Sequence, residues 1–431
     1  MSYTIRHVTI EDLWGVKDFD TDLHNDINVL IGKNGSNKTT FINLIEACLT
    51  VNRRLLRQIS FKKVVFLLQD ERQEENILIV ERDKVDGSEV VRYYNAEFGV
   101  KTVTIYDEER NRHRSMEDRL NHMQIVGNLK SMINMCWLPI SRSDDQEDRR
   151  SYEDFRRNMR LSVDDKLIEL LKELTVYRLR LLEQTNKYTN ELNQKALSLL
   201  LYDDETDNSG SFGIDRFESF EPEEIEKALE CVFSQTRGKE SERIRTHIAK
   251  SQEAMRCVRV QRSLTIDQVV ALVLINKTMT LMELTNQYRE KVDKILKPIT
   301  VFKGKLQQFI KDKAFDFSEE TGQLCITWHD NKRSKMCDSS TLQLHPSLLS
   351  SGEKQLLVLL IQTLLQENKP YVFLADEPEL SLHIEWQRNI VGAIHEMNPN
   401  AQIIVATHSP EVAGQWIQKI IPMESITRYG N

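Results

Sequence analysis

Apolar and polar residues alternate with a period of two over much of the first 135 residues. This period predicts half-buried antiparallel strands, because successive side chains of a strand point to opposite faces of its sheet. The segment INVLI (27–31) is apolar almost throughout and leads into a glycine-containing loop, which indicates a buried central strand. Helical spacing of apolar residues follows, from Phe41 to Leu49. The other predicted strands are YTIRHVTI, KKVVFLL, NILIVER, VVRYYN and KTVTIYD.

Two longer segments repeat their apolar residues every seven positions, as packed helices do. The first, residues 163–201, contains no Gly or Pro, and the second, residues 265–297, is expected to end at Pro298. Residues 202–213 between them are acidic and rich in turn formers, so we expect a mobile connection. The pattern predicts an antiparallel helical hairpin or short coiled coil, with a plain helical lid as the alternative. The repeated residues are Leu167, Leu174, Leu181 and Tyr188, and then Leu274, Leu281, Tyr288 and Ile295.

After these helices the pattern returns to short strands (AFDF, LCITWH and LQL) and, from Leu349 onward, alternates helices with apolar strands. Such alternation predicts a sheet of parallel strands covered by helices. We therefore predict an α/β fold in which a long helical insertion interrupts one head. The predicted domains are residues 1–148 for the first half of the head, 149–300 for the insertion and 301–431 for the second half.

Composition narrows the class of protein. The chain has 431 residues and a mass of 50.4 kDa, and its net charge of -8 gives no overall nucleic-acid signature. The N-terminal sequence MSYTIRHVTIEDL has charges where a signal peptide needs an apolar core, and no apolar run reaches the length of a bilayer span. The six cysteines lack the spacing of zinc ligands. We expect a cytoplasmic protein without membrane association.

The segment IGKNGSNKTT (31–40) nearly matches a phosphate-binding loop, whose pattern is glycine, four residues, glycine, lysine, and serine or threonine. Gly32, Lys38 and Thr39 fit the pattern, whereas Asn37 replaces the second glycine. Among residues with a side chain, asparagine is one of those that reach a positive φ most readily. We therefore expect a somewhat strained loop that still binds nucleotide, with slow turnover as one consequence.

Three further segments follow in order. LSSGEKQ opens a helix, where the Ser351 hydroxyl and backbone N–H groups form an anion site and Ser351 is also expected to be the N-cap. YVFLADEPE is an apolar strand ending at Asp376 and Glu377, which suit a divalent cation and a general base. QIIVATHSP is a second such strand, ending at His408. In a parallel sheet these strand ends and the phosphate loop meet at one edge.

This order of segments resembles the heads of ABC-type ATPases. Ser351 follows Lys38 by 313 positions (351 − 38), a separation far longer than in transporters and similar to the SMC, Rad50, RecF and OLD branch. LSSGEKQLLVLL, DEPELSLHIEWQ and ATHSPE further resemble phage-defence ATPases of the AAA15/AAA21 kind, from OLD, Septu, PARIS and retron systems. The resemblance covers roughly residues 1–145 and 300–420, including CWLPISR (136–142). It implies an ABC ATPase head with a mixed sheet, interrupted by the helical insertion.

The resemblance also implies ATP and Mg²⁺ as ligands, and it assigns roles to individual residues. Lys38 would bind the β- and γ-phosphates, and Thr39 and Asp376 would hold Mg²⁺. Glu377 would be the general base, and His408 would sense the γ-phosphate. The implied ATP-binding residues are Gly32, Asn34, Gly35, Ser36, Asn37, Lys38, Thr39, Thr40, Ser351 and Gly352.

Two of these residues imply an oligomer. Ser351 and Gly352 would contact ATP held by a second subunit, so the resemblance implies a homodimer or a higher homo-oligomer. Gln69 and Gln146 are both candidates for the glutamine lid residue of this family.

Three functions are compatible with these segments. The leading hypothesis is an ATPase that serves as sensor or scaffold and controls a separate effector, by resemblance an HNH or Toprim nuclease, because little sequence follows THSP. The alternative is a DNA-repair ATPase of the RecF or Rad50 kind, supported by basic clusters within residues 53–63, 149–160 and 243–262. Such clusters are more often solvated helix faces. A non-hydrolysing binding module is the third hypothesis and depends on Asn37 alone.

Overall fold

The computed structural model describes most of the chain and divides it into two compact units, one formed by Met1–Thr175 with Val301–Asn431 and the other by Val176–Thr300. The predicted start of the insertion, residue 149, lies outside the described residues. The described residues are 2–85, 88–105, 116–138, 163–199, 241–260, 263, 265–328 and 344–429.

Strands and helices are numbered in chain order. The strands are β1 (Thr4–Leu13), β2 (Lys17–Asp22), β3 (Ile27–Ile31), β4 (Lys63–Gln69), β5 (Glu75–Val85), β6 (Ser88–Asn95), β7 (Gly99–Ile105), β8 (Met135–Leu138), β9 (Lys313–Phe317), β10 (Leu324–Trp328), β11 (Tyr371–Asp376), β12 (Ala401–Thr407), β13 (Ile420–Pro422) and β14 (Thr427–Tyr429). The helices are α1 (Lys38–Thr50), α2 (Arg53–Gln58), α3 (Met116–Met132), α4 (Val163–Ser198), α5 (Ser241–Arg259), α6 (Ile266–Phe309), α7 (Ser351–Leu365), α8 (Ile384–Met397), α9 (Pro410–Ala413) and α10 (Met423–Ile426).

The first unit contains a seven-stranded antiparallel sheet with the strand order β14-β2-β1-β4-β5-β6-β7. Its strands alternate as the sequence pattern predicts. In β1, for example, Ile5, Val8 and Ile10 are buried, and a register shift between Ile5 and His7 interrupts the strict period. The alternation leaves one face of the sheet for the core and the other more exposed.

A five-stranded parallel sheet forms the second layer, in the order β13-β3-β12-β11-β8. Its central strands are buried on both faces, as INVLI predicts, and β12 is buried over its whole length. Residue Thr407 pairs with Ile31 and Asp376 pairs with Ala406, so the carboxyl ends of β3, β11 and β12 lie side by side. The predicted mixed α/β fold is therefore confirmed, and its parallel edge collects the three motif-bearing strands.

Helix α1 packs within a core cluster that contains residues of both sheets. Its Phe41 contacts Phe19 of the antiparallel sheet, with ring centroids 5.8 Å apart. The cluster also includes Leu374 of β11 and Ile404 of β12. Because α1 begins directly after the phosphate loop, this packing fixes the loop against the parallel edge. Of the other short predicted strands, AFDF and LCITWH form the β9–β10 hairpin, whereas LQL lies largely outside the described residues.

In the second unit, α4 and α6 pack through residues that the seven-residue repeat singles out. The rings of Tyr188 and Tyr288 lie 6.2 Å apart. Lys195 lies over Tyr288 and Lys291 lies over Tyr188, a crossed pairing that favours the predicted antiparallel arrangement. The predicted pair is accompanied by α5, which the sequence pattern did not indicate.

Two details of α6 differ from the prediction. The expected end at Pro298 is wrong, because the helix continues to Phe309. Proline removes one main-chain donor, and burial of Phe302 and Leu306 beyond it stabilises the continuing helix.

The buried face of α6 also departs from the seven-residue repeat. Leu274 is exposed, whereas Thr278, Met279 and Thr285 are buried. The two threonine hydroxyls donate hydrogen bonds to the carbonyls four residues earlier, at 3.0 and 2.7 Å. A threonine satisfied in this way can face the interior, and a pattern based on apolar residues alone misses it.

Candidate functional site

The phosphate loop adopts the conformation that its sequence predicts. Asn37 has φ 68° and ψ 25°, in the left-handed region where glycine is favoured, and it precedes the first residue of α1. Its side chain makes no capping hydrogen bond. Gly35 also has a positive φ, of 82°, and a β-carbon on Gly32 would lie 2.5 Å from the Ser36 hydroxyl. The asparagine therefore takes over the backbone conformation expected of glycine at this position.

Lys38 opens α1 and points back into the loop. Its ammonium donates to the carbonyl of Gly32 at 2.7 Å and to that of Lys33 at 3.3 Å. The residue is only 4% exposed, and this burial lowers the pKa of Lys38, an effect opposed by the carboxylates of Glu377 and Asp376. The ammonium is thus held where the loop backbone curves around it.

Thr39 and Asp376 meet beside Lys38. The Thr39 side chain lies beside the Asp376 carboxyl group, which ends β11. Burial raises the pKa of Asp376 above its usual value, and its carboxylate oxygen Oδ1 is buried without a hydrogen-bond partner. A hydroxyl beside a carboxylate with an unsatisfied oxygen is a donor set that suits a hard divalent cation.

Glu377 and His408 complete the group. Glu377 has a left-handed φ of 47°, and its N–H donates to the carbonyl of Ala406 at 2.8 Å, which ties the end of β11 to β12. The His408 Nε2 lies 3.5 Å from the Glu377 carboxylate and its Nδ1 lies 3.4 Å from the Lys38 ammonium. A neutral imidazole protonated on Nε2 satisfies both contacts, since Nδ1 then accepts and Nε2 donates. One imidazole thereby connects the loop lysine with the strand-end glutamate.

The helix opened by LSSGEKQ is capped differently from the prediction. Ser350, and not Ser351, is the N-cap of α7, and it forms a capping box with Glu353. Glu353 is also bound by Lys313 at 2.6 Å, so the start of α7 is tied to β9. Ser351 is exposed at the first position of the helix, and Gly352 is buried against the Ser381 carbonyl, which a β-carbon would approach to 2.5 Å.

A buried hydrogen-bond group next to the predicted residues was missed by the sequence analysis. Glu379 is 6% exposed and accepts a hydrogen bond from the hydroxyl of Thr407, the last residue of β12. Burial raises the pKa of Glu379. The hydroxyl of Ser409 donates to Gln387 of α8 at 2.8 Å. The sequence did contain one signal for this group, the third carboxylate of DEPE.

The remaining predicted residues are outside this group. Gln69 ends β4, on the antiparallel sheet, where its carbonyl accepts a hydrogen bond from Thr4 at 3.1 Å. Gln146 and the arginine of CWLPISR lie outside the described residues, although β8 does form at Met135–Leu138. Among the described helices, none has the length and apolar character needed to cross a membrane.

Comparison with known proteins agrees with the motifs. A segment of 86 residues is 37% identical to "Retron Ec83 probable ATPase" from Escherichia coli, and the match covers 17% of this chain and 16% of that protein.

Solved structures that the chain matches include the Smc head domain with an extended coiled coil bound to the C-terminal domain of ScpA, derived from Pyrococcus furiosus. It is 12% identical with a TM-score of 0.43, over 99% of this chain and 96% of that chain. The Smc head domain with a coiled coil and joint from Pyrococcus yayanosii is 14% identical with a TM-score of 0.40, over 100% and 97%.

A family model describes nearly the whole chain. Residues 4–413 match the model of the AAA ATPase domain, AAA_15, which includes the phosphate loop and both carboxylate- and histidine-bearing strands. The match also spans the helical insertion, so the two halves of the head belong to one family unit. The chain is therefore a member of the AAA ATPase domain family, as the order of its motifs predicts.

Proposed function

We propose that this ATPase-family protein binds ATP and hydrolyses it at the carboxyl edge of the parallel sheet. The observation that carries the proposal is the position of His408, whose imidazole lies 3.4 Å from the Lys38 ammonium and 3.5 Å from the Glu377 carboxylate. A cation for phosphate and a carboxylate base for water are the two groups that the reaction needs within reach of one γ-phosphate. His408, between them, would contact that phosphate.

Mg²⁺ fits the same edge. The unsatisfied, buried Oδ1 of Asp376 and the adjacent Thr39 side chain would hold the cation. When bound, Mg²⁺ would neutralise charge on the phosphate oxygens. Helix geometry leaves the backbone N–H groups at the start of α1 without partners inside the helix, and they would bind the β- and γ-phosphates.

In this mechanism Lys38 holds the phosphates and Glu377 accepts a proton from the attacking water. Glu377 is fixed for this role by its main-chain hydrogen bond to Ala406. The predicted slow turnover is compatible with Asn37, which keeps the loop conformation at a cost in backbone strain.

We further propose that a second copy of the chain completes the site. Ser351 is exposed at the N-terminus of α7, where backbone N–H groups and a hydroxyl favour an anion. In a homodimer or a higher homo-oligomer, Ser351 and Gly352 of one copy would contact the γ-phosphate held by the other.

The test uses two variants with different expected defects. Glu377→Gln keeps the side-chain shape and removes the base, so ATP should bind, subunits should stay associated and hydrolysis should nearly stop. Ser351→Arg should leave ATP binding to Lys38 intact and prevent association. Hydrolysis is measured by phosphate release and association by light scattering with ATP.

Mixing variants checks the shared site. Ser351→Arg chains mixed with Lys38→Ala chains leave one site with two intact halves in each mixed dimer, and partial recovery of hydrolysis is expected. The control is each variant alone, which should be inactive. A monomer with full activity that tolerates Ser351→Arg would refute the two-copy mechanism, and wild-type protein that binds ATP without turnover would refute hydrolysis.

For the biological role we propose the sensor or scaffold subunit of an anti-phage complex, which controls a separate effector nuclease of the HNH or Toprim type. Support comes from the defence-type motifs and from the partial similarity to the retron ATPase. Co-expression with the product of a neighbouring gene should yield a complex whose nuclease activity responds to ATP. Glu377→Gln is the matched variant, because it should keep the complex and change only that response.

The alternative of direct action on DNA gains little from the basic clusters. Arg53 is half-buried and paired with Asp118 at 2.9 Å, and Lys63 pairs with Glu81 at 3.2 Å. The cluster within residues 149–160 lies outside the described residues. DNA binding whose affinity falls steeply with added salt would favour this alternative.

A further inference from the structure

The carboxylate of Glu379 is placed unusually for a residue of a turn. It lies three positions after the end of β11, yet the residue is 6% exposed. One oxygen, Oε1, accepts the Thr407 hydroxyl, and the other, Oε2, is buried without a hydrogen-bond partner. Burying a carboxylate that is only half satisfied costs free energy, and an apolar side chain would fill the same space at lower cost. A structural role alone therefore explains the residue poorly.

The partner of Glu379 controls the turn that carries His408. The Thr407 hydroxyl donates to Glu379 and accepts the N–H of Ser409 at 2.9 Å. His408 lies between Thr407 and Ser409 in the sequence, so one hydroxyl fixes the main chain on both sides of it. The orientation of that hydroxyl is in turn fixed by the carboxylate, since a hydroxyl that donates to Glu379 presents its lone pairs to Ser409.

A second set of hydrogen bonds, made by Gln387, also connects the two turns. Gln387 of α8 accepts the Ser409 hydroxyl at 2.8 Å and donates to the carbonyl of Leu382 at 3.0 Å. The turn after β11 and the turn after β12 are thus joined at two points. Glu377 precedes the first turn and His408 lies in the second, and the distance between their side chains depends on this joint.

We propose that Glu379 is a positioning residue, whose carboxylate acts through the Thr407 hydroxyl to hold the His408 imidazole between Lys38 and Glu377. The inference rests on the proposed hydrolysis at this edge and adds a residue that touches none of the reacting atoms. Loss of the carboxylate or of the hydroxyl leaves the phosphate loop intact and releases the His408 turn. ATP affinity should therefore persist while the rate of the chemical step falls.

The experiment compares two replacements of one residue. Thr407→Val keeps the side-chain shape and removes the hydroxyl, whereas Thr407→Ser keeps the hydroxyl and is the matched control. Single-turnover hydrolysis of radiolabelled ATP should slow on the order of 100-fold in Thr407→Val, the size expected of a catalytic group displaced by about 1 Å. Thr407→Ser should remain close to wild type, and both should bind ATP with unchanged affinity.

A double-mutant cycle separates positioning from general destabilisation. Glu379→Leu should slow hydrolysis as Thr407→Val does, and in a His408→Ala background neither change should slow it further. Equal losses with and without His408 would overturn the inference, as would full activity of Thr407→Val. Thermal unfolding of each variant identifies any that fails to fold. If Glu379→Leu fails to fold, the isosteric Thr407→Val alone decides whether the positioning role holds.

Amide hydrogen exchange gives a readout that does not depend on turnover. The Ser409 N–H should exchange faster in Thr407→Val and in Glu379→Leu than in wild type. If the wild-type protein does not hydrolyse ATP, the proposed function fails and this exchange alone tests the positioning role. Unchanged protection of Ser409 in both variants would then refute it.

Discussion

Replacing Asn37 by glycine and by alanine separates the backbone strain of the phosphate loop from any role of the side chain. Asn37 has φ 68° and makes no capping hydrogen bond, so Asn37→Gly removes a steric restriction without losing a capping contact. The left-handed region costs a residue with a β-carbon roughly 1–2 kcal/mol, and asparagine less than alanine. We expect loop stability in the order Gly, Asn, Ala, with about 1 kcal/mol, or about fivefold in ATP affinity, between glycine and alanine.

Titration calorimetry with ATP measures this order directly. Gly35→Ala is the matched control, because Gly35 has φ 82° and a β-carbon there would meet no atom within 4 Å, so only the backbone cost is added. The loss of ATP affinity from wild type to Gly35→Ala should be about as large as the loss from Asn37→Gly to Asn37→Ala. Weaker ATP binding by Asn37→Gly than by wild type would refute the reasoning, since it would require a direct contact between the asparagine side chain and the nucleotide.

Three further predictions concern stability. Lys313→Met leaves Glu353 buried without its cation and should lower the free energy of unfolding by about 3 kcal/mol in urea titrations; a change below about 1 kcal/mol would show the pair to be solvated. Gly352→Ala places a β-carbon 2.5 Å from a backbone carbonyl oxygen and should lower the melting temperature, whereas Gly304→Ala, with no atom within 4 Å, should not. Burial raises the pKa of Asp376 above 3.8, so its charge opposes folding at neutral pH. Asp376→Asn should therefore be more stable than wild type at pH 7, and that difference should shrink as the pH falls toward 3.8; a constant difference would contradict it.

The arrangement of the site could be predicted because parallel strands bring their carboxyl ends together. Once INVLI, YVFLAD and QIIVAT are assigned to one parallel sheet, the residues that follow them must share an edge. The register confirms this, since Asp376 pairs with Ala406 and Thr407 with Ile31. Lys38 and His408 are 370 residues apart in the sequence, yet the Lys38 ammonium and the Glu377 carboxylate both lie within 3.5 Å of the His408 imidazole. Whether they act as proposed remains a prediction.

The helices were harder to predict because apolar spacing is an incomplete measure of burial. In α6, Thr278 and Thr285 face the interior after bonding to their own helix backbone, so the buried face includes positions that the sequence pattern counts as polar. The 17 residues of α3 bury little more than Ile125, Leu129 and Met132 on the apolar side, too few to give a clear period. In both helices tertiary contacts decide the result, and a single sequence does not contain them.

The hydrogen-bond partners of the site residues could not be predicted from the sequence for a related reason. Glu379 and Thr407 are 28 positions apart, and each has an ordinary local explanation, one as a turn acid and the other as the last residue of a strand. Their contact follows only from the register of β11 on β12, which places the residues beyond Asp376 against those beyond Ala406. Sequence motifs identify groups that touch substrate because those groups have distinctive chemistry. Residues that hold them in place have none, and a buried, half-satisfied carboxylate becomes visible only when the neighbouring strand is known.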